Sequence, residues 1–231
     1  MMTLPRLETP TYELILPSTD EVVKYRPFLV KEYKILLTAL QSDNEEIHRM
    51  VEELIDACTF NKLNIQELAT FDLEYLFLNI RSKSIGEVST LTLKCEQCEE
   101  KMEIELDLTK ATVEKKQEHS NKILISNNIG VEMRYPRLQE MIEIYQNLNS
   151  EKIVEVLCSC IKGVYTDEQY YDNYTREELV EFINSFSKDQ FEKLEKFFLT
   201  MPKVTQKIEK TCDNCGKYNL VNLEGLQNFF V

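Results

Sequence analysis

A chain of 231 residues can bury a substantial core as one large domain or two small ones, and 43% hydrophobic with 29% charged content is that of a folded globular protein. Its 40 Asp and Glu against 27 Lys and Arg give a formal net charge of -13, the wrong sign for non-specific binding to a phosphate backbone. No stretch approaches the roughly 18 to 20 apolar residues of a membrane span, and the opening MMTLPRLETPTYELILP lacks the charged-then-apolar order of an export signal, so a cytosolic site of action is expected.

In chain order, YELILP (12–17) reads as a short strand. YRPFLVKEYKILLTALQ (25–41) reads as a helix with Pro27 in its first turn, where the missing N–H has no partner to lose. SDNEEIHRMVEELIDAC opens on a capping box, Ser42 with Glu45, and carries Ile47, Val51, Leu54, Ile55 and Cys58 on one helical face. FDLEYLFLNIRSKS reads as a third helix with Asp72 as N-cap. Its inner stripe is Leu73, Leu76, Phe77 and Ile80, and Tyr75 and Leu78 make a second side apolar, as in a helix that is central in its fold or covered by a partner.

From Ile85 the period changes to two. EVSTLTLKC and MEIELDL read as strands either side of a bend at CEQC, and TKATVEKKQEHSN as a polar loop. KILISNNIGVEMRYP reads as a hairpin turning across Asn127, Asn128 and Gly130. RLQEMIEIYQNL, SEKIVEVLCSCIKGVY, TREELVEFINSF and SKDQFEKLEKFFLTMP read as helices, the last two with capping boxes at Thr175/Glu178 and Ser187/Gln190, and Pro202 ends the last. KVTQKIEKTCDNCGKYNLVNL then repeats the strand, Cys-x-x-Cys, strand order. No longer internal repeat is legible. The expected fold is α+β: a mainly helical body with a small zinc-ribbon-like antiparallel module built from two distant Cys-x-x-Cys hairpins. Its regions are a strand and helices over 1–84, hairpins with the first knuckle over 85–136, helices over 137–202, and the second knuckle and terminal segment over 203–231, the last forming one unit with 85–136.

Seven cysteines in a chain without an export signal point to reduced thiols and metal ligation rather than a disulfide framework. Structural zinc takes four ligands in a tetrahedron, and Cys95, Cys98, Cys212 and Cys215 on two tight turns supply them, one zinc per chain. Gly216 after Cys215 provides the backbone freedom such a turn needs, where the first pair has Glu99. A redox Cys-x-x-Cys would open a helix. Both pairs here are followed by strand-like sequence, and the carboxylates of Glu96, Glu99, Glu100 and Glu103 are expected to raise the first pair's thiol pKa values. Cys58, Cys158 and Cys160 read as buried free thiols.

Catalytic kits are missing from the pattern. His48 and His119 stand in no nucleophile or metal motif, and no Gly-rich phosphate loop is present. TDEQYYDNYTREE lacks the glycine and oxygen spacing of a calcium loop, and no carboxylate pair stands out for acid/base work. A non-enzymatic protein is expected.

YRPFLVKEYKILL, FDLEYLFLNIRSKSIGE, the two knuckles, RYPRLQEM, FEKLEKFFLTMPK and LEGLQNFF, in that order from Tyr12 to Phe230, resemble the baseplate hub proteins of T-even-type contractile-tailed phages. The resemblance implies a protein of virion morphogenesis, a structural component or chaperone in assembly of the central hub. It implies action in the host cytoplasm or a place in the tail baseplate, other hub or tail proteins as partners, and no catalytic residues. Two rival readings of the cysteines are a zinc-stabilised cytosolic adaptor that binds host proteins and, further off, a thiol oxidoreductase. Apolar surface at Tyr75, Leu78 or LQNFFV is expected to face a partner or to be ordinary core.

Overall fold

The computed structural model describes residues 7–39, 44–146 and 150–225. In chain order it comprises β1 (Tyr12–Ile15), β2 (Val22–Tyr25), α1 (Val30–Ala39), α2 (Asn44–Cys58) and α3 (Thr70–Ser84), then β3 (Val88–Lys94), β4 (Lys101–Asp107) and β5 (Thr112–Glu114). There follow β6 (Lys122–Leu124), β7 (Ile129–Met133), α4 (Leu138–Gln146), α5 (Ser150–Cys160), β8 (Ile161–Thr166), β9 (Tyr170–Tyr171), α6 (Arg176–Asn184) and α7 (Lys188–Thr200), and finally β10 (Lys203–Thr211) and β11 (Tyr218–Glu224). Among the described residues seven helices alternate with eleven strands in four antiparallel sheets. The chain is mixed α+β, and the expected mainly helical body holds only in part: Ile161–Thr166 and Tyr170–Tyr171 are strands inside a stretch whose apolar runs read as helix.

The chain divides into two compact units, Met1–Glu114 with Lys203–Val231, and Lys115–Pro202. In the first, α3 is the central element. Phe77, Leu76 and Ile80 are fully buried, and so are Leu73 and Leu78 on different sides of it. The apolar second side at Leu78 therefore serves the chain's own core, not a partner. Asp72 is not the N-cap, a place taken by Ala69. Its buried carboxylate instead accepts from the N–H and hydroxyl of Ser18, fixing the β1–β2 turn. The first unit also holds the β3–β4 hairpin and the sheet β11-β10-β5. Lys203 stands directly opposite Glu114, so the excursion through the second unit begins and ends on neighbouring strands.

The second unit packs α5, α6 and α7 on the sheet β6-β7-β8-β9, around Val131, Met133, Leu157, Leu194 and Phe197. Both expected capping boxes are formed, at Thr175/Glu178 and Ser187/Gln190. Gly130 lies in β7 rather than in the turn, and its need is spatial. A Cβ there would meet the Tyr165 ring at 2.1 Å, so only glycine lets that ring lie flat on the strand. His119 is buried, its Nδ1 3.0 Å from the Thr200 hydroxyl and its ring stacked on Tyr135. The polar run 109–121 is not all loop, since Thr112–Glu114 pairs with β10.

A repeated build emerges that the sequence does not announce. Each unit has a hairpin followed by a helix pair, β1–β2–α1–α2 and β6–β7–α4–α5. Helix α1 does not begin near Pro27: Tyr25 ends β2, and the helix starts at Val30. There the Arg26 N–H donates to the Cys58 carbonyl (3.0 Å), its guanidinium bonds the Pro27 carbonyl (3.0 Å) and Glu32 Oε1 (2.9 Å), and Glu32 Oε2 accepts from the Leu29 N–H (2.8 Å). In the second unit the Arg134 N–H donates to the Cys160 carbonyl (2.8 Å), its guanidinium bonds the Tyr135 carbonyl (3.1 Å) and Glu140 (2.6 and 2.9 Å), and Glu140 Oε2 accepts from the Arg137 N–H (2.8 Å). In both, a glutamate at the third helical position reaches back to the residue before the helix, as in a capping box, while an arginine ties strand, helix start and end of the second helix together. The Ser42/Glu45 box and the segment LQNFFV fall outside the described residues in whole or part.

Burial alone would raise the Glu140 carboxyl. The Arg134 guanidinium and the Arg137 N–H outweigh it and hold the group below the usual glutamate range. A lowered folded-state value means stability that is fully present above the ordinary glutamate pKa and is lost as pH falls through the lowered one. Glu140→Gln is expected to cost about 1–3 kcal/mol at pH 7 and to flatten the fall of the thermal midpoint between pH 5 and 3; parallel midpoint-versus-pH curves for variant and wild type would contradict the clamp.

Candidate metal centre

Strands β3 and β4 pair in full register from Val88↔Asp107 to Lys94↔Lys101, and β10 and β11 from Thr205↔Glu224 to Thr211↔Tyr218. Each hairpin closes on one Cys-x-x-Cys turn. The turns are built alike: the Cys95 N–H donates to the Glu100 carbonyl and the Glu99 N–H to the Cys95 carbonyl, both at 2.9 Å. The Cys212 N–H donates to Lys217 (2.8 Å) and the Gly216 N–H returns to Cys212 (2.9 Å). Both turns require left-handed backbone at the residue after the second cysteine, φ 58° at Glu99 and 72° at Gly216. The first knuckle meets this demand without glycine.

The turns bring all four predicted cysteines together, with every sulfur within 4.8 Å of the others. Cys95 Sγ is 3.6 Å from Cys215 Sγ, and Cys98 Sγ is 3.6 Å from Cys212 Sγ. A disulfide would need about 2.05 Å, whereas a tetrahedron of sulfurs each about 2.3 Å from a central ion has edges of roughly 3.8 Å. The four thiols are free and their arrangement could hold one metal ion. Cys95 and Cys212 are buried against Met102, Cys98 is half-buried and Cys215 exposed.

The backbone N–H groups of Cys98 and Gln97 point at the Cys95 sulfur and lower its pKa to about 6, so the expectation that neighbouring carboxylates raise it fails there: the amides are nearer than the charges. The Lys217 N–H favours the Cys215 thiolate in the same way, but the three other sulfurs beside it, and the water they displace, push that group up to about 12.

Sequence reasoning missed the polar residues that brace the two cysteine turns. Asn219, 1% exposed, accepts from the Glu96 N–H (3.1 Å) through Oδ1 and donates from Nδ2 to the Lys217 carbonyl (2.9 Å). It stitches one knuckle to the other hairpin across 123 residues of chain. Asn214 Nδ2 donates to Cys98 Sγ at 3.7 Å. The signal was available: Asn219 occupies the inward register of β11, in line with buried Leu223, where the alternation calls for an apolar residue. The other three cysteines lie elsewhere and are buried; burial pushes Cys58 and Cys160 up to about 12.

The shared left-handed position yields a paired test. Glu99→Gly is expected to raise stability by about 0.5–1 kcal/mol, and Gly216→Ala to lower it by about 1 kcal/mol through backbone strain alone, because no atom lies within 4 Å of a Cβ at Gly216. Thermal unfolding of both variants checks this; a loss for Glu99→Gly would mean its side chain supports the turn.

The family described as T4 bacteriophage base plate protein matches residues 9–231 of the chain. The baseplate hub assembly protein gp26 of Enterobacteria phage T4 is 22% identical over 214 residues, which covers 91% of this chain and 93% of that protein. No solved structure matches the chain.

Proposed function

The chain belongs to the T4 bacteriophage base plate protein family, and from that membership we propose that it is a non-enzymatic morphogenesis protein of the phage tail, a structural component or chaperone in building the central hub of the baseplate. The observation that carries this reading is the similarity to a hub assembly protein across nearly the full length of both chains. Its partners are then other hub or tail proteins, met in the host cytoplasm, with a place in the tail for whatever copies remain. Among the described residues no helix is long and apolar enough to cross a membrane.

In this reading Cys95, Cys98, Cys212 and Cys215 bind one structural zinc per chain and make the two hairpins a single zinc-ribbon-like module. The spacing of the sulfurs, the lowered pKa of the buried Cys95 and the all-cysteine make-up of the cluster suit a closed four-thiolate site. Zinc in such a site contributes on the order of 10 kcal/mol to folding, here by joining hairpins more than a hundred residues apart. Asn219 acts as the positioning residue behind it.

Protein purified without an affinity tag is expected to carry one zinc per chain by elemental analysis, with four of its seven thiols protected from alkylation until a chelator is added. Cys212→Ser should abolish retention of the ion. Asn219→Ala should keep the stoichiometry but weaken affinity by about 10- to 100-fold. Seven reactive thiols and no metal in freshly purified protein would remove the zinc reading. The hub reading is tested separately by co-purification with baseplate hub proteins produced in the same cells; recovery with host proteins alone would favour the adaptor.

A further inference from the structure

The repeated hairpin and helix pair differ between the units in one respect. In the second unit the chain passes directly from Cys160 at the end of α5 into β8, which pairs antiparallel with β7: Gly130↔Tyr165, Val131↔Val164, Glu132↔Gly163. In the first unit the chain leaves Cys58 through left-handed residues Phe60 (φ 64°) and Asn61 (φ 55°), with the Asn61 N–H turned back onto the Asp56 carbonyl. It turns away, and among the described residues the edge of β2 that corresponds to the covered edge of β7 receives no strand; β1 and β2 form a two-stranded sheet.

That edge has defined polarity. The Leu16 N–H bonds the Glu21 carbonyl, so alternation along the strand aims Val23 and Tyr25 at β1, and Val22, Lys24 and Arg26 away from it. The Arg26 N–H is taken by Cys58, as that of Arg134 is by Cys160. Among the described residues the backbone groups of Val22 and Lys24 bond nothing on that side. Val22 (60% exposed) and its cross-strand partner Ile15 (58%) add an apolar shoulder.

Charge identifies what fits. On the covered sheet, Lys122 stands opposite Glu132, and Lys162 of β8 reaches Glu132 at 3.2 Å, giving a Lys–Glu–Lys row across three strands. In the first unit the same row begins with reversed signs, Glu13 opposite Lys24 at 3.3 Å, and stops at the open edge. We propose that the open edge of β2 is a strand-acceptor site that takes an extended segment of another baseplate protein, antiparallel to β2, with an acidic residue beside Lys24 and an apolar one beside Val22. The identity of the occupant rests on the hub reading above; the edge does not. A lysine on a short edge strand also serves elsewhere simply to discourage pairing, and the two roles part in the test.

The full chain is co-produced with the baseplate hub proteins as wild type, Lys24→Pro and Lys24→Glu. Proline is tolerated on an edge where the N–H faces outward, yet it removes the donor and blocks an incoming strand. Recovery of hub protein is expected to fall at least tenfold with Lys24→Pro and several-fold with Lys24→Glu at low salt, with thermal midpoints near wild type. In the wild-type complex, amide hydrogen exchange over residues 21–26 should slow at least tenfold against the free chain, a readout that holds even where the proline variant folds poorly. Undiminished recovery with Lys24→Glu and unprotected amides would overturn the strand site while leaving the hub reading intact. Wild type that recovers no hub protein would overturn the hub reading and, with it, the occupant. A homodimer of the free chain with protected edge amides would overturn the choice of a foreign strand in favour of a second copy.

Discussion

Everything in the first unit depends on the chain finding its way back. After β5 it leaves through Lys115–Pro202 and must return at Lys203 to lie opposite Glu114. Closing an excursion of that length costs about 4 kcal/mol of chain entropy plus a constant, and the cost grows only slowly with length. The backbone pairs of β5 and β10 offset it at the open end of the β10–β11 hairpin, and the Asn219–Glu96 bond and the cluster of four sulfurs act at its turn. A metal bound at that turn would act on a long-range closure that local propensity cannot secure. The cysteines sit on the two hairpins that flank this excursion, one pair on each, rather than within one of them.

The metal-site candidates were legible because their signal is local: each Cys-x-x-Cys lies between two alternating runs, and nothing else in the chain competes for that pattern. The capping boxes at Thr175 and Ser187 were legible for the same reason. What failed to show was decided at long range. Pro27 is compatible with a helix start, but Arg26 is held by Cys58 and Glu32, which pins the strand up to Tyr25 and delays the helix to Val30. Asp72 has the chemistry of an N-cap, yet Ser18 claims its carboxylate. IKGVYT reads as the tail of a helix until Met133 offers a strand edge to pair with. The repeated build escaped notice because it is carried by an arginine, a glutamate six residues on and a distant carbonyl, while the apolar residues around them differ freely.

Family membership and physical structure contribute different things here. The similarity to a hub assembly protein supplies the biological setting at an identity of 22%, a level at which side-chain detail does not transfer. The geometry supplies what this chain can do within that setting. It has a cluster of four free thiols, paired arginine–glutamate clamps that fix two helix pairs and, among the described residues, an edge strand left open in one unit and filled in the other.

The four thiols are unevenly shielded, with Cys95 and Cys212 enclosed against Met102 and Cys215 open to solvent. An ion held there would exchange from the side of Cys215 and Cys98, since Cys95 and Cys212 close the other. A competing ligand would meet the outer sulfurs before the enclosed ones, so the rate of release would be governed by access to that face. Covering that face in an assembly would slow the loss of the ion without any change in its affinity, and the lifetime of the bound metal would then report whether the second knuckle is at a protein–protein boundary or in open water.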